Sequence, residues 1–387
     1  MDTRTTFLTG PARAWFLSRV GLRLFRRLGD ERGYPRATLD LLHAVLHAGA
    51  WDQTPGRLVC HGGHVWAVPD LPPLDTNGFL DCLMSGLDGF EKGPVTAILS
   101  LTARCPHRCP YCYVRRSGPD APEPSVALLA RTVEGLSALG VRTIHLSGGE
   151  PALRCDDLAG LLRRCRDMGL RFWLLTTGAG LSPERLRALA AAGLDGVMIG
   201  LDHDDPAVTD GIKGTRDAHA TALRTLGDAR RAGLLAAVNV VVSRSLLEEA
   251  AFLRFLGALG GHGAAFVNCY APRPQGAELP PDLAPFTVEE HLRLHRLARR
   301  CSAGAGPGPL VYTPDVWEAL RGCQGGRSFL YVDPTGEVRR CPFLGRSYGR
   351  IQDGDLAGIL SRMRADPEPE TCAGHRLLAG ALRRGRR

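Results

Sequence analysis

Three cysteines lie within eight residues of one another, at Cys105, Cys109 and Cys112. They follow a short run of β-branched and aliphatic residues, Val95 to Leu101, and this run predicts a strand that ends in a loop. Three thiolates on one loop can each bind one iron of a cubane cluster, whereas the clusters of ferredoxins recruit four cysteines. The fourth iron would then be open to a small ligand, as the fourth position of a catalytic zinc ion is. A zinc knuckle and three incidental cysteines are the alternatives.

An aromatic residue, Tyr113, directly follows the third cysteine, and we place it beside the cofactor. The pattern Cys-x3-Cys-x2-Cys-aromatic resembles the signature of the radical S-adenosylmethionine (SAM) enzymes, and later segments up to about residue 276 resemble that family in its order. The resemblance implies that the three cysteines hold a 4Fe-4S cluster. It also implies that SAM binds the open iron and is cleaved to a 5'-deoxyadenosyl radical, which takes hydrogen from a substrate. A low-potential electron donor of the flavodoxin or ferredoxin type would supply the electron.

Strand-like and helix-like patterns alternate from Val95 onward. Six strands that alternate with helices predict a parallel sheet with right-handed crossovers. This agrees with the partial (β/α)6 TIM-like barrel that the resemblance implies, and in such barrels the chemistry lies at the carboxyl ends of the strands. The strands are predicted near residues 97–101, 143–146, 172–176, 196–199, 236–242 and 264–269, and the helices near 125–139, 156–168, 182–192, 217–232 and 246–259.

We therefore expect an α/β protein in three parts. Residues 1–90 would form an N-terminal helical and hairpin region, residues 91–280 the radical SAM core barrel, and residues 281–387 a helix followed by a small cysteine-containing extension. Within the first part, Pro11 to Gly29 predicts a basic amphipathic helix that either packs on its own core or contacts a membrane surface or a partner. A second helical pattern runs from Ala37 to His47.

The segment Arg57 to Val68 predicts a hairpin that turns at Gly62-Gly63. Cys60, His61 and His64 within it could ligate a metal ion. Because no second cysteine pair lies nearby, we interpret these three side chains as ordinary hairpin residues.

A Gly-Gly-Glu-Pro motif, which includes Gly148, Gly149 and Glu150, follows the second strand of the barrel. Two glycines let a backbone approach a ligand closely, and the carboxylate beyond them could pair with an ammonium group. In the resembled family this motif binds the methionine amino group of SAM, and we assign that role to Glu150. An ordinary turn between a strand and a helix is the alternative.

Two further strand ends resemble SAM-binding motifs of the family. Thr176 begins a Thr-Thr-Gly run that is similar to Thr-Asn-Gly, with Thr177 in place of the asparagine. Asp202 ends a Gly-Leu-Asp run that is similar to Ser-Leu-Asp, with Gly200 in place of the serine. A strand-end turn and a solvated acid are the alternative interpretations of Thr176 and Asp202.

Two asparagines complete the predicted cofactor site. Asn239 in the fifth strand would face the ribose or the methionine carboxylate of SAM, and Asn268 in the sixth would frame adenine or the substrate. A core asparagine at a sheet edge is the alternative. Lys213 and Arg216 could bind an anionic group of the substrate, although solvated loop charges are commoner.

The carboxyl-terminal part carries further cysteines, and Cys323 and Cys341 resemble the start of a SPASM or twitch extension, which holds auxiliary 4Fe-4S clusters. A complete SPASM pattern needs seven cysteines, and this segment supplies three. The resemblance therefore allows a single second 4Fe-4S cluster on Cys323, Cys341 and Cys372, with His375 as a candidate fourth ligand. A degenerate extension with no cluster, or with zinc, is the alternative.

Composition narrows the class of protein. The 387 residues are 44% apolar and 23% charged, which is ordinary for a globular protein. The net charge is +8, yet no basic run is interleaved with aromatic residues, so nucleic acid is not an expected partner. No secretory signal and no membrane-length apolar run are evident, and a reducing cytoplasm suits the 12 cysteines best.

The substrate class has two candidates. A SPASM or twitch extension favours either maturation of a peptide or protein side chain, or oxidoreductase chemistry on a small molecule such as a sugar or cyclitol. The protein would then be an enzyme of oxidoreductase-like character. An iron-sulfur sensor or electron carrier without turnover is the alternative from another class.

Overall fold

The computed structural model describes residues 5–32, 56–91, 93–114, 118, 120–273, 279–303, 308–366, 378 and 380–381. Near the amino terminus, a small antiparallel sheet contains β1 (Thr6–Leu8), β2 (Leu58–His61) and β3 (His64–Trp66). The hairpin predicted there is confirmed, and β2 and β3 pair His61 with His64 across its turn. The helical pattern predicted from Ala37 to His47 lies outside the described residues.

A second, ten-stranded sheet dominates the described part of the chain. Its strands in chain order are β4 (Thr96–Ser100), β5 (Thr143–Ser147), β6 (Arg171–Thr176), β7 (Gly196–Gly200), β8 (Leu235–Val241), β9 (Phe266–Tyr270), β10 (Leu310–Tyr312), β11 (Phe329–Val332), β12 (Glu337–Arg339) and β13 (Ser347–Arg350). Their spatial order is β10-β9-β8-β7-β6-β5-β4-β11-β12-β13. From β10 to β11 every neighbouring pair is parallel, and β12 and β13 add an antiparallel edge.

Helices follow most of these strands. In chain order the described helices are α1 (Gly10–Arg32), α2 (Asn77–Leu87), α3 (Val126–Ala138), α4 (Cys155–Arg164), α5 (Pro183–Ala192), α6 (Pro206–Lys213), α7 (Ala218–Arg231), α8 (Glu249–Gly261), α9 (Val288–Ala303), α10 (Pro314–Arg321) and α11 (Leu356–Ala365). The start of α5 illustrates how the sequence sets such boundaries. The Ser182 hydroxyl accepts a hydrogen bond from the Arg185 amide, and Pro183 occupies the first turn.

The predicted α/β fold, a partial TIM-like barrel, is confirmed. The six predicted strands are β4 to β9, in the predicted order and parallel. One feature of the sheet was not predicted: β10 and β11, both from residues 281–387, pair with β9 and β4 and extend this parallel sheet at its two ends. Helix α6 was also missed, although Asp205 caps it and Pro206 begins it. The division of the chain at residues 90 and 280 stays a prediction.

Side chains alternate along each strand, so they point to two opposite faces of the sheet. Both faces are apolar. The outer face packs against the surrounding helices in one large core. The inner face forms a second cluster, which the N-terminal hairpin completes with Val59 and Trp66. The Trp66 ring meets Trp173 edge-on with centroids 5.8 Å apart, and the Tyr312 hydroxyl donates to the Ala67 carbonyl. The hairpin therefore closes the end of the inner face at which the strands begin.

Helix α1 buries one side and exposes the other. Leu24 and Leu28 pack against Leu80 of α2, whereas Trp15 is 61% exposed and Leu22 is 48% exposed. Core packing thus accounts for the inner side, and contact of the outer side with a membrane or partner stays a prediction that vesicle binding would test. Within the described ranges, no helix combines the length and apolar character needed to cross a membrane.

Candidate functional site

The three cysteines lie on the loop that leaves the carboxyl end of β4, and all three are partly buried. Burial raises the pKa of the Cys105 thiol to about 12, and the charges of Glu150, Cys109 and Cys112 act in the same direction. The three thiols are therefore within electrostatic reach of one another. The described residues contain no set of three His, Cys, Asp or Glu side chains that converges on one metal ion. Three neighbouring thiols on one loop fit a cubane, in which each thiolate binds a different iron.

A partly exposed carboxylate, Glu123, and two arginines fix the start of this loop. The Thr102 hydroxyl donates to Glu123, and the Arg104 Nε donates to Glu123 Oε1 at 2.9 Å. Arg154 Nη1 donates to the Leu101 carbonyl at 2.6 Å. These contacts were not predicted, because no spacing in the sequence links Glu123 or Arg154 to the cysteines.

The Gly-Gly-Glu turn packs directly on the cysteine loop. The Gly149 amide donates to the Thr102 carbonyl at 2.7 Å, and the Glu150 amide donates to the Arg104 carbonyl at 2.8 Å. A Cβ atom on Gly148 would lie 2.6 Å from the Thr102 oxygen, and one on Gly149 would lie 2.2 Å from the Arg104 oxygen. The close approach that requires both glycines is thus to the cysteine loop, whereas the sequence suggested an approach to a ligand.

We expect Gly149→Ala to disturb the cysteine loop. The added methyl group would collide with the Arg104 backbone, and overpacking of this kind costs about 1–3 kcal/mol. The measurements are the unfolding midpoint and the iron bound per chain after anaerobic reconstitution, and both should fall. Gly160→Ala is the control, because its Cβ would meet Val126 Cγ1 at an ordinary 3.8 Å. Equal iron content and equal midpoints for the two variants would contradict this account.

The Glu150 carboxylate joins the ends of β5 and β6. It is fully buried. Its Oε1 accepts from the Ala152 amide at 3.0 Å and the Thr176 hydroxyl at 2.6 Å. Its Oε2 accepts from the Thr177 amide at 2.8 Å and the Thr177 hydroxyl at 2.5 Å. Burial raises the pKa of Glu150, and the two threonines oppose that shift. Both oxygens are thus engaged with protein donors, and contact between Glu150 and the SAM amine stays a prediction.

His107, which the sequence did not single out, links the cysteine loop to this network. Its Nε2 lies 3.0 Å from the Thr177 Oγ1, and its Nδ1 lies 2.7 Å from the Thr215 Oγ1. Burial lowers the pKa of His107, which favours the neutral ring with one proton. Because the Thr177 hydroxyl already donates to Glu150, it accepts from His107, which assigns the proton to Nε2.

Asp202 and Lys213 form a buried ion pair beside the cysteine loop. Lys213 Nζ lies 2.9 Å from Asp202 Oδ2, and the Tyr111 hydroxyl donates to the same oxygen at 2.5 Å. The Val241 amide donates to Asp202 Oδ1 at 3.1 Å. Burial lowers the pKa of Lys213, but the charges of Asp202 and Cys109 together raise it by more than burial lowers it. The net shift of the pKa is therefore upward. The interpretations of Asp202 as a solvated acid and of Lys213 as a solvated loop charge are therefore wrong.

The remaining predicted cofactor residues occupy two places. Asn239 and Asn268 are paired across β8 and β9, and Asn268 Nδ2 donates to Asn239 Oδ1 at 2.9 Å. The Tyr113 hydroxyl lies 3.1 Å from the Ser147 Oγ. The Tyr113 ring meets Tyr331 and Phe343 edge-on, with centroids 5.6 Å and 5.9 Å away. Tyr113 thus connects the cysteine loop to the carboxyl-terminal part, and SAM contacts of these residues stay predictions.

Two of the candidate auxiliary-cluster residues are described. Cys341 is buried, Cys323 is partly buried, and a Cβ on Gly325 would lie 3.2 Å from the Cys341 Cβ. Cys372 and His375 lie outside the described residues, and a second cluster stays a prediction.

The hairpin histidines have protein partners. His61 Nε2 lies 3.1 Å from the Gly233 carbonyl, and His64 Nδ1 lies 2.9 Å from Asp75. These contacts support their interpretation as hairpin residues.

Residues 99–255 match the radical SAM superfamily. The chain is 37% identical over 302 residues to the PqqA peptide cyclase of Ruegeria pomeroyi, which covers 72% of this chain and 79% of that protein. It is 32% identical over 289 residues to the PqqA peptide cyclase of Methylobacterium nodulans, with coverages of 69% and 72%. The fold is similar to that of Streptococcus suis SuiB bound to SAM, with a TM-score of 0.57, 15% identity and coverage of 94% of this chain and 83% of that one. The chain therefore belongs to the radical SAM superfamily, whose enzymes use a 4Fe-4S cluster and SAM to generate a 5'-deoxyadenosyl radical.

Proposed function

We propose that this enzyme is a peptide maturase, which uses its SAM-derived radical to join or oxidise side chains of a precursor peptide. The observation that carries the proposal is the 37% identity to a PqqA peptide cyclase across 79% of that protein's length. The activity is oxidoreductase-like, because hydrogen is removed from the peptide. A structure of SuiB with the precursor peptide SuiA has a related fold, with a TM-score of 0.57.

The proposal assigns a role to each part of the site. Cys105, Cys109 and Cys112 would hold three irons of the cluster. Lys213 supports the loop in two ways: its side chain is paired with Asp202, and its carbonyl accepts from the Arg108 amide at 2.8 Å. The turn at residues 148–150, which follows the neighbouring strand β5, packs against the cysteine loop and is hydrogen-bonded to it. The protein's contribution is thus to position the cofactor, while the cofactor supplies the radical.

We also propose a twitch-like second cluster that uses Cys323 and Cys341. Its support is the contact between Tyr113, next to Cys112, and Phe343, two residues after Cys341. This contact puts the two cysteine regions side by side. Iron and sulfide counting on a Cys341→Ala variant tests it, and an iron content equal to that of the original protein would contradict it.

The test of the proposed function is an anaerobic assay of the reconstituted enzyme with SAM, a reductant and the short peptide encoded beside its gene. The electron can come from dithionite or from a flavodoxin or ferredoxin. We expect 5'-deoxyadenosine together with a peptide that has lost two hydrogen atoms, one to the radical and the other as a proton and an electron that an iron-sulfur cluster would accept. Formation of 5'-deoxyadenosine with an unchanged peptide would instead favour a small-molecule oxidoreductase. No 5'-deoxyadenosine at all would favour a sensor or carrier.

A further inference from the structure

An acidic side chain of the N-terminal region enters the inner face of the sheet. Asp70 follows the hairpin in a proline-rich segment, Pro69 to Pro73. Its carbonyl accepts from the Thr96 hydroxyl at 2.9 Å, which anchors the segment to β4. Its carboxylate Oδ1 then lies 3.5 Å from His145 Nε2.

His145 points into the space that the curved sheet encloses. Its neighbours on β5, Ile144 and Leu146, pack with the helices in the outer core, so the ring between them faces inward. On the adjacent strand it is in register with Trp173, a member of the inner cluster. The Nε2 atom is buried and has no hydrogen-bond partner in the described part of the chain. Buried polar atoms of this kind are rare, and each calls for an explanation.

The Asp70 carboxylate lies between opposite walls of this space. Burial raises the pKa of Tyr270 on β9 and of Tyr312 on β10, and the charge of Asp70 raises both further. Strands β6, β7 and β8 separate β9 from β5, which carries His145. A single carboxylate can lie close to His145 on β5 and also act on tyrosines of β9 and β10 only if it lies in the space between these strands. The Asp70 side chain is 50% exposed, whereas that of His145 is 6% exposed, so solvent reaches the carboxylate. We call the space around Asp70 and His145 the recess.

The Asp70 carboxylate carries the charge beside His145. Burial lowers the pKa of His145 although the charge of Asp70 opposes that shift, and this favours the neutral ring. Among the described residues, no lysine or arginine forms an ion pair with Asp70. A carboxylate without a cation in a partly desolvated recess attracts a positive group more strongly than one at the surface. Aromatic rings in the same recess would add to that attraction.

We propose that Asp70 and His145 form a binding site for a cationic group of the substrate, an ammonium or a guanidinium. The cation takes the place of the missing partner of Asp70 and holds the substrate inside the barrel. This site thereby sets which part of the substrate meets the radical generated at the carboxyl ends of the strands. The substrate role rests on the proposed function, whereas the cation site itself does not.

The test uses methylguanidinium as the probe and methylurea as its uncharged counterpart of similar shape. Each is titrated into the anaerobically reconstituted protein with ¹⁵N-labelled histidine rings, and the resonance that disappears in a His145→Gln variant is followed. We expect a saturable shift of the His145 resonance with methylguanidinium and none with methylurea. In Asp70→Asn the methylguanidinium affinity should fall at least about tenfold, because one charge contact is lost.

The control is Asp120→Asn, which removes an exposed carboxylate elsewhere and should bind as the original protein does. The proposal is overturned if methylurea binds equally well, if methylguanidinium gives no saturable shift, or if Asp70→Asn binds it with unchanged affinity. A saturable, Asp70-dependent shift in a protein that leaves the peptide unchanged would overturn the proposed function and leave the cation site standing.

Discussion

Replacing Cys109 with alanine is expected to remove the iron of the cluster on the cysteine loop and to lower 5'-deoxyadenosine formation by more than about 100-fold. Changes to residues that only support metal ligands typically cost about 10–100-fold, and loss of a ligand should exceed that range. Cys109 is held in place by the loop itself, where its carbonyl accepts from the Cys112 amide at 3.3 Å and the preceding Arg108 amide is bound to Lys213. The measurements are iron and sulfide content, visible absorbance and 5'-deoxyadenosine released from SAM.

The matched control is Cys60→Ala. Cys60 is also a partly buried thiol with a raised pKa, for which burial is the main cause, but it lies in the N-terminal hairpin. It should retain the iron and the activity. If Cys109→Ala binds as much iron as Cys60→Ala, the cysteine loop does not hold the cluster. Thermal unfolding of both variants separates loss of the cluster from loss of the fold.

The parts of the fold that could be predicted from the sequence depend on local patterns. Each strand from β4 to β9 is a short apolar run followed by a turn. Because such runs alternate with helical patterns, they are enough to predict a parallel sheet. The cysteine spacing, the Gly-Gly-Glu turn and Asp202 all occur directly after such runs. Because parallel strands end at one edge, the residues of this site could be gathered without knowledge of their contacts.

These local patterns could not predict long-range packing. β10 and β11 are three and four residues long, and they join the sheet through contacts with β9 and β4 that are distant in sequence. Asp70 sits among prolines, a composition that indicates a boundary, yet the segment folds back into the barrel. His145 was read only as part of a strand, although a histidine at an inward position of an apolar strand was a usable signal.

Charged residues were the main source of error. Lys213 ends a short helix and precedes a glycine, a context in which lysine is usually solvated. Its burial depends on Asp202 and Tyr111, which come from two other segments. The glycine pair was identified correctly as a place of close approach, but the partner was the cysteine loop. Residue type thus predicted the kind of contact, whereas the partner in each contact depends on the fold.

Lys213→Met is expected to lower the free energy of unfolding by about 3–5 kcal/mol, because it leaves the Asp202 carboxylate buried and unpaired. The pair has the features for which this cost is large: an N···O distance of 2.9 Å and side-chain exposures of 6% and 2%. Tyr111 and the Val241 amide would still donate to Asp202, so the variant loses the compensating charge while the hydrogen bonds remain. Urea unfolding followed by circular dichroism measures the change.

A double variant separates the charge from the packing of the lysine stem. Asn in place of Asp202 keeps an acceptor for the Val241 amide and removes the charge, so Asp202→Asn/Lys213→Met should recover most of the lost stability. Arg187→Met is the surface control: its pair with Glu184 is just as short, at 2.8 Å, but is 59% and 72% exposed, and such pairs contribute about 0–1 kcal/mol. A Lys213→Met variant no less stable than Arg187→Met would refute the argument, as would a double variant no more stable than Lys213→Met alone. Recovery in the double variant would mean that Lys213 neutralises a carboxylate whose hydrogen bonds tie the cysteine loop to β8.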